Sequence, residues 1–176
     1  MTELDENALM EMFVSKVYDT IYSWLPEKKK GTFSVFFPRW MEELLRKSAS
    51  FHVENDEWRL TLDYKALLNF AFTASSKLNC GYDNLIKEIL QVIYGCDDLT
   101  GDCVKLLRVI LRHSCEGKAE FPRVWDDSKY GMLRVRNFTY GLSTLEDDGI
   151  ITVENTSIYI DIENDVSCRF LMEEGN

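Results

Sequence analysis

The residues with obvious chemical potential are few and scattered. The chain has two histidines, His52 and His113. The first falls inside a segment that alternates like a strand. The second falls near the end of a helical segment, where a partly charged imidazole is well placed against the helix dipole. A catalytic base needs a nucleophile or a substrate partner within hydrogen-bond reach, which the sequence alone does not supply, so both histidines read as structural. Adjacent acids occur at Asp97-Asp98, Asp126-Asp127 and Asp147-Asp148. Two-metal chemistry would need such pairs to converge in space, whereas acids at turns and helix ends are ordinarily solvated. The five cysteines, Cys80, Cys96, Cys103, Cys115 and Cys168, are odd in number and contain no CxxC pair, so they read as free thiols rather than a zinc site or disulfide framework. No GxSxG, HExxH, GxxxxGK[ST] or GxGxxG motif occurs. No catalytic residue, metal site or cofactor is therefore expected.

Two groups of residues suggest binding instead. A segment near residue 135 offers Arg134, Arg136, Asn137 and Tyr140, with Arg123 and Lys129 just upstream. Arginine and asparagine are the types that read guanine and adenine edges. The same helix ends in Glu146, Asp147 and Asp148, and the turn beyond it holds Glu154 and no cation. The other group is aromatic: Phe33, Phe36, Phe37, Trp40 and Met41 crowd one short span. One buried face cannot hold them all, and large aromatics are common interface anchors, so Phe36, Phe37 and Trp40 are the candidate protein-binding residues. Two basic runs are less pointed. Lys28-Lys29-Lys30 reads as a solvated turn, and Lys105, Arg108 and Arg112 as the wet face of a helix or an interaction stripe.

The balance of the chain suits a soluble folded protein. Of its 176 residues, 45% are hydrophobic and 12% aromatic, enough for a real core. The net charge of −10 repels phosphate backbones and anionic lipids at long range, so nucleic acid is not favoured as a partner. The acidic start MTELDENALMEM lacks the positive charge of a secretory signal, and no apolar run reaches the roughly 18 residues of a membrane span. An intracellular protein, nuclear or cytoplasmic, is expected, with no membrane insertion.

Helical periodicity predicts a first helix over 5–25 with Leu9, Phe13, Val17, Ile21 and Trp24 on one stripe, capped by Asp5 or Asn7. The stretch PEKKKGTFS reads as a polar turn, followed by a helix to residue 47 with Pro38 in its first turn. Phe51 and Val53, then Trp58, Leu60 and Leu62, alternate on either side of Glu54-Asn55-Asp56, which predicts a hairpin. Helices are expected over 64–78, 83–94 and 102–113, punctuated by Gly81 and Gly95, with Thr100 or Asp102 capping the last. Residues 114–128, with Gly117 and Pro122, read as a loop or short turn. A helix over 133–147 ends at Gly149, and a second hairpin follows around Asn155-Thr156. The terminal EEGN reads as a solvated tail.

The segment 41–63, MEELLRKSASFHVENDEWRLTLD, and the segment 141–163, GLSTLEDDGIITVENTSIYIDIE, are alike without a gap. Leu45 falls on Leu145, Phe51 on Ile151, Val53 on Val153, Asn55 on Asn155 and Leu60 on Ile160. Each copy is a helix end, a strand, a polar turn and a second strand. This pattern resembles the closing half of a winged helix, whose three-helix core leads into a two-stranded wing. Ala49 stands where the second copy has Gly149. The resemblance implies a mainly α fold with two small β-hairpins: winged-helix-like units over 1–63 and 101–176, joined by a helical connector over 64–100. Tandem winged helices occur in subunits of chromosome-structuring, telomere-capping and membrane-sorting complexes. The resemblance and the absence of catalytic motifs together imply a non-catalytic intracellular adaptor or complex subunit that binds protein, in a chromatin or nucleic-acid-handling assembly or elsewhere. A DNA-binding transcription regulator acting through Arg134–Tyr140 is the alternative, and a viral or host-interaction module the third. Self-association is left open.

Overall fold

The first helix, α1 (Glu6–Trp24), forms where the apolar stripe requires it. Asp5 caps it by accepting from the Ala8 N–H at 2.7 Å. Leu9, Phe13, Val17 and Ile21 are all buried along one face. Pro26 stops α1 but does not open a turn. The stretch expected to be one is a helix, α2 (Glu27–Phe36), entered directly from Pro26. The polar composition misleads because one side chain decides the matter: Phe33 is buried, with its ring 4.9 Å from that of Tyr18 on α1. Tertiary burial outweighs local propensity here.

Pro38 does not start a helix either. It lies inside a continuous helical path, in a π turn (Phe37–Met41) that leads into α3 (Glu42–Arg46). Proline lacks an N–H, and its ring presses on the carbonyl four residues back. One extra residue in the turn relieves that contact, and the Glu42 N–H reaches back five residues to the Phe37 carbonyl.

The structure is a computed structural model that describes residues 4–130, 133–160 and 163–172. The chain divides into two units, Met1–Gly95 with Glu163–Asn176, and Cys96–Ile162. In the first, α3 closes at a buried Ser48, whose hydroxyl donates to the Leu45 carbonyl at 2.6 Å. The hairpin β1 (Ala49–Glu54) and β2 (Glu57–Asp63) then follows in the expected place, with Phe51 opposite Leu60. Asn55 and Asp56 take φ of +52° and +61°, the left-handed pair that a tight hairpin needs. Helices α4 (Tyr64–Leu78) and α5 (Tyr82–Tyr94) match the periodicity closely. Asp63 caps α4, and Asn79 and Gly95 close the two helices with positive φ. Residues 64–95, expected within a connector, thus lie in the first unit, where α4 packs on α3 and α5 on α1. A third strand, β6 (Glu163–Ser167), pairs antiparallel with β2 and was not anticipated, nor was the short α9 (Arg169–Met172) after it. The tail EEGN lies outside the described residues.

In the second unit, Thr100 accepts from the Cys103 N–H at 3.2 Å and opens α6 (Gly101–His113). Residues 114–128 are not a loop. Glu116 and Gly117, both at positive φ, turn the chain into β3 (Lys118–Glu120), and α7 (Phe121–Tyr130) follows at once. Pro122 and Gly117 suggested a loop. Pro122 instead occupies the first turn of α7, where its missing N–H costs nothing. Phe121 and Trp125 pack edge-on against Phe138, with centroids 5.4 and 4.9 Å away. Phe138 belongs to α8 (Val135–Asp147), which packs on α6. The strands β4 (Thr152–Glu154) and β5 (Ser157–Tyr159) complete a sheet ordered β3-β5-β4. The fold is mainly α with two small three-stranded antiparallel sheets.

The two copies of the repeat fold alike but recruit their third strand differently. In each sheet the extra strand pairs with the second strand of the hairpin. In the first unit that strand, β6, comes after the hairpin, and in the second, β3 comes before it. The helix-to-strand corners also differ. Gly149 sits at φ +79°, a left-handed position, while Ala49 is already an ordinary strand residue. Gly149→Ala therefore costs about 1–2 kcal/mol from backbone strain. Ala49→Gly costs less than that, and urea denaturation of both variants separates the two corners.

Candidate functional site

The aromatic cluster divides at the π turn. Phe37 and Met41 turn inward. Phe37 is only 3% exposed and packs edge-on against Tyr18 and Phe33. It belongs to the core and cannot anchor a partner, which corrects its place among the candidate binding residues. Phe36 and Trp40 stay together on the other side, ring centroids 4.9 Å apart. Trp40 is 47% exposed and its neighbour Val35 56% exposed. Lys77, from α4, brings its Nζ to 5.7 Å from the Phe36 ring and 5.5 Å from the Trp40 ring. An ammonium over exposed rings contributes about 0.5–1 kcal/mol and holds their faces in place. Lys77 was not singled out from sequence, because it lies some forty residues from the rings it covers.

The nucleic-acid candidates lie at the start of α8 and on α7. Arg134 precedes α8 and makes no capping bond, and Arg136 lies in the first turn of α8. Both are exposed, as is Arg123 on α7, and none of the three has an ion pair among the described residues. The other candidates are occupied. The Asn137 amide donates to Asp102 Oδ2 at 3.0 Å. The Tyr140 hydroxyl donates to the Asp98 carbonyl at 3.0 Å. Lys129 pairs with Asp126 at 3.4 Å. Glu154 at the end of β4 is exposed, and the Glu146 carboxylate accepts from the Val153 N–H at 2.8 Å. That bond ties the end of α8 to β4.

The lysine run is split by α2. Lys29 donates to the Asn79 carbonyl at 2.6 Å, and Lys30 pairs with Glu27 at 3.6 Å while lying over the Tyr22 ring. Each histidine lies beside carboxylates. His113 Nε2 and Arg112 Nη1 share Asp127 Oδ2, at 2.8 and 2.9 Å. The hydrogen bond from His113, backed by Arg112, holds the Asp127 carboxyl below the usual carboxylate range. His52 lies 3.7 Å from Glu54 and 3.6 Å from Asp165. Arg59 already takes the other Asp165 oxygen at 2.8 Å.

Two convergences escaped the sequence. Cys96, Asp98 and Asp148 bring their ligand-type atoms within 4.8 Å of one another, as do His52, Glu54 and Asp165. These are the arrangements among the described residues that could hold a cation. In the first, burial and then the hydrogen bond and charge of Asp98 push the Asp148 carboxyl up to about 6. Burial, then the charge of Asp148, pushes the Cys96 thiol up to about 12. A thiol in that state is a poor nucleophile at neutral pH. Separation along the chain hid the group, since Cys96 and Asp148 lie on either side of α6, α7 and α8.

A carboxyl raised from 3.8 to about 6 favours the folded state most when protonated. That contribution is complete below pH 3.8 and is lost as pH rises through about 6. Asp148→Asn, neutral at every pH, is therefore more stable than the parent above pH 6 by about 1–2 kcal/mol after solvent screening. The difference shrinks away in acid, and thermal melts across that pH range check it. Among the described residues no helix is long and apolar enough to cross a membrane. No protein-family model, curated protein or solved structure matches this chain.

Proposed function

We propose that this chain is a non-catalytic subunit that binds another protein through the face formed by Val35, Phe36 and Trp40. The observation that carries the reading is Trp40, nearly half exposed, packed on Phe36 and held under Lys77. Water covers a large ring poorly, and burying it in a partner's pocket is the usual source of interface affinity. The partner segment it fits brings an apolar side chain onto the indole and a carboxylate to Lys77. The carboxylate surroundings of the histidines and the raised Cys96 thiol support a non-catalytic reading. Trp40→Ala weakens partner binding by at least about 2 kcal/mol, roughly thirtyfold, with little change in stability. Phe37→Ala behaves oppositely and costs about 3–5 kcal/mol of stability, because it empties a core position. Quantitative capture from nuclease-treated extract, with urea melts alongside, checks both. An undiminished partner set with Trp40→Ala removes this face from the account.

A second reading is a winged-helix regulator of DNA. The order α6-β3-α7-α8-β4-β5, with the sheet ordered β3-β5-β4, supports a winged helix in Cys96–Ile162. The exposed Arg134 and Arg136 support contact with nucleic acid, and the occupied Asn137 and acidic wing count against base reading. On this reading Arg134→Glu with Arg136→Glu abolishes duplex binding, and the parent's affinity falls steeply with salt. Absence of duplex binding by the parent at low salt disposes of it.

A further inference from the structure

The sheet of the first unit has an inner and an outer side, and its register decides which side chains share each. Phe51, Leu60 and Val166 lie opposite one another across the three strands and are buried on the inner side. The alternate positions therefore face outward. His52 and Glu54 of β1 are on that side, with Arg59 of β2 directly opposite His52. Thr61 of β2 follows, with Asp165 of β6 directly opposite it.

Three of these residues are metal donors, and their atoms converge. His52 Nε2 lies 3.7 Å from Glu54 Oε2 and 3.6 Å from Asp165 Oδ1, and the donor atoms all lie within 4.8 Å of one another. Tetrahedral zinc, with bonds of about 2.0–2.1 Å, holds neighbouring donors about 3.3–3.4 Å apart. Both histidine spacings thus come within a few tenths of an ångström of coordination. All three side chains are partly exposed, so small rotations close the remainder.

The middle strand supports the donors from outside. Thr61 Oγ1 lies 3.4 Å from His52 Nδ1. With the Nδ1 proton given to that hydroxyl, the Nε2 lone pair faces the two carboxylates, which is the tautomer a ligating imidazole needs. Arg59 Nε donates to Asp165 Oδ2 at 2.8 Å and leaves Oδ1 on the side of His52. Metal ligands are commonly oriented in this way, through the nitrogen or oxygen that does not bind the ion. Arg59 offsets Asp165, and Arg169 lies 3.7 Å from Glu57, the cross-strand partner of Glu54. The Glu54 carboxylate itself pairs with His52 alone among the described residues. A proton on Nε2 satisfies the same carboxylates, and a metal ion has to displace it.

We propose that His52, Glu54 and Asp165 bind a zinc ion on the outer face of this sheet, with water in the fourth position. One imidazole with two carboxylates suits zinc, whereas magnesium and calcium take shells of oxygen alone.

The test is a calorimetric titration of the full chain with zinc alone and, separately, with magnesium alone, followed by NMR of the histidine ring signals. Running it on Cys96→Ser as well as on the parent separates this site from the Cys96, Asp98 and Asp148 group. The expected result is a saturable site at micromolar zinc that Cys96→Ser retains, with the His52 ring signals shifting and magnesium without effect. Zinc also raises the melting temperature, and a chelator reverses the rise. His52→Ala and Asp165→Asn each weaken this binding about tenfold or more. Thr61→Val keeps all three donors yet weakens it as well, which a passive ion pair would not require. No saturable zinc binding by Cys96→Ser overturns the proposal. So does zinc binding that His52→Ala leaves unchanged, or magnesium binding of equal strength, which would mark a patch of acids without a role for the imidazole.

Discussion

The corner at which a helix delivers its last buried leucine and turns straight into a strand governs both units. Leu45 and Leu145 are fully buried at the ends of α3 and α8. Within six residues Phe51, in β1, and Ile151, just before β4, must reach the same cores. A helix advances about 1.5 Å per residue and a strand about 3.3 Å, so the chain has little slack in which to reverse. The first unit meets the constraint with the buried Ser48 hydroxyl on the Leu45 carbonyl, and the second with Gly149 in left-handed geometry. Once the corner is set, the hairpin register follows, and with it which strand edge remains for β6 or β3.

The candidate binding face depends on a second local constraint, set by Pro38. A regular helix through that position would carry a clash and an unmade bond, and the π turn removes both. The wider turn keeps Phe37 and Met41 in the core and leaves Phe36 and Trp40 paired outside. The cost of a less regular helix is offset by the ring contacts of Phe33, Phe37 and Tyr18 beneath it. Backbone irregularity, aromatic exposure and the covering Lys77 therefore coincide at one place, as is common where a surface is shaped for recognition.

Much of this was legible from local signals. Asp5 and Thr100 cap helices as side-chain oxygens should, and Asn55-Asp56 turns the hairpin that alternation demanded. What escaped depends on distant partners. The helix α2 exists because Phe33 meets Tyr18, and α7 because Phe121 and Trp125 meet Phe138. The strand β6 exists because β2 offers it an edge more than a hundred positions earlier. The candidate sites divide the same way. Phe36 and Trp40 were readable as surplus aromatics, but the burial of Phe37 required the π turn. Asn137 had the right chemistry for adenine, and only the fold reveals that Asp102 already holds it.

The central claim is that the Phe36–Trp40 face meets a protein. A photo-reactive residue installed at Val35, which is exposed beside those rings, tests it directly. Irradiation in native extract is expected to give one dominant protein adduct that survives nuclease and maps to a partner segment pairing an apolar residue with an acid. Irradiation that yields no adduct, or one that nuclease removes, would contradict the account.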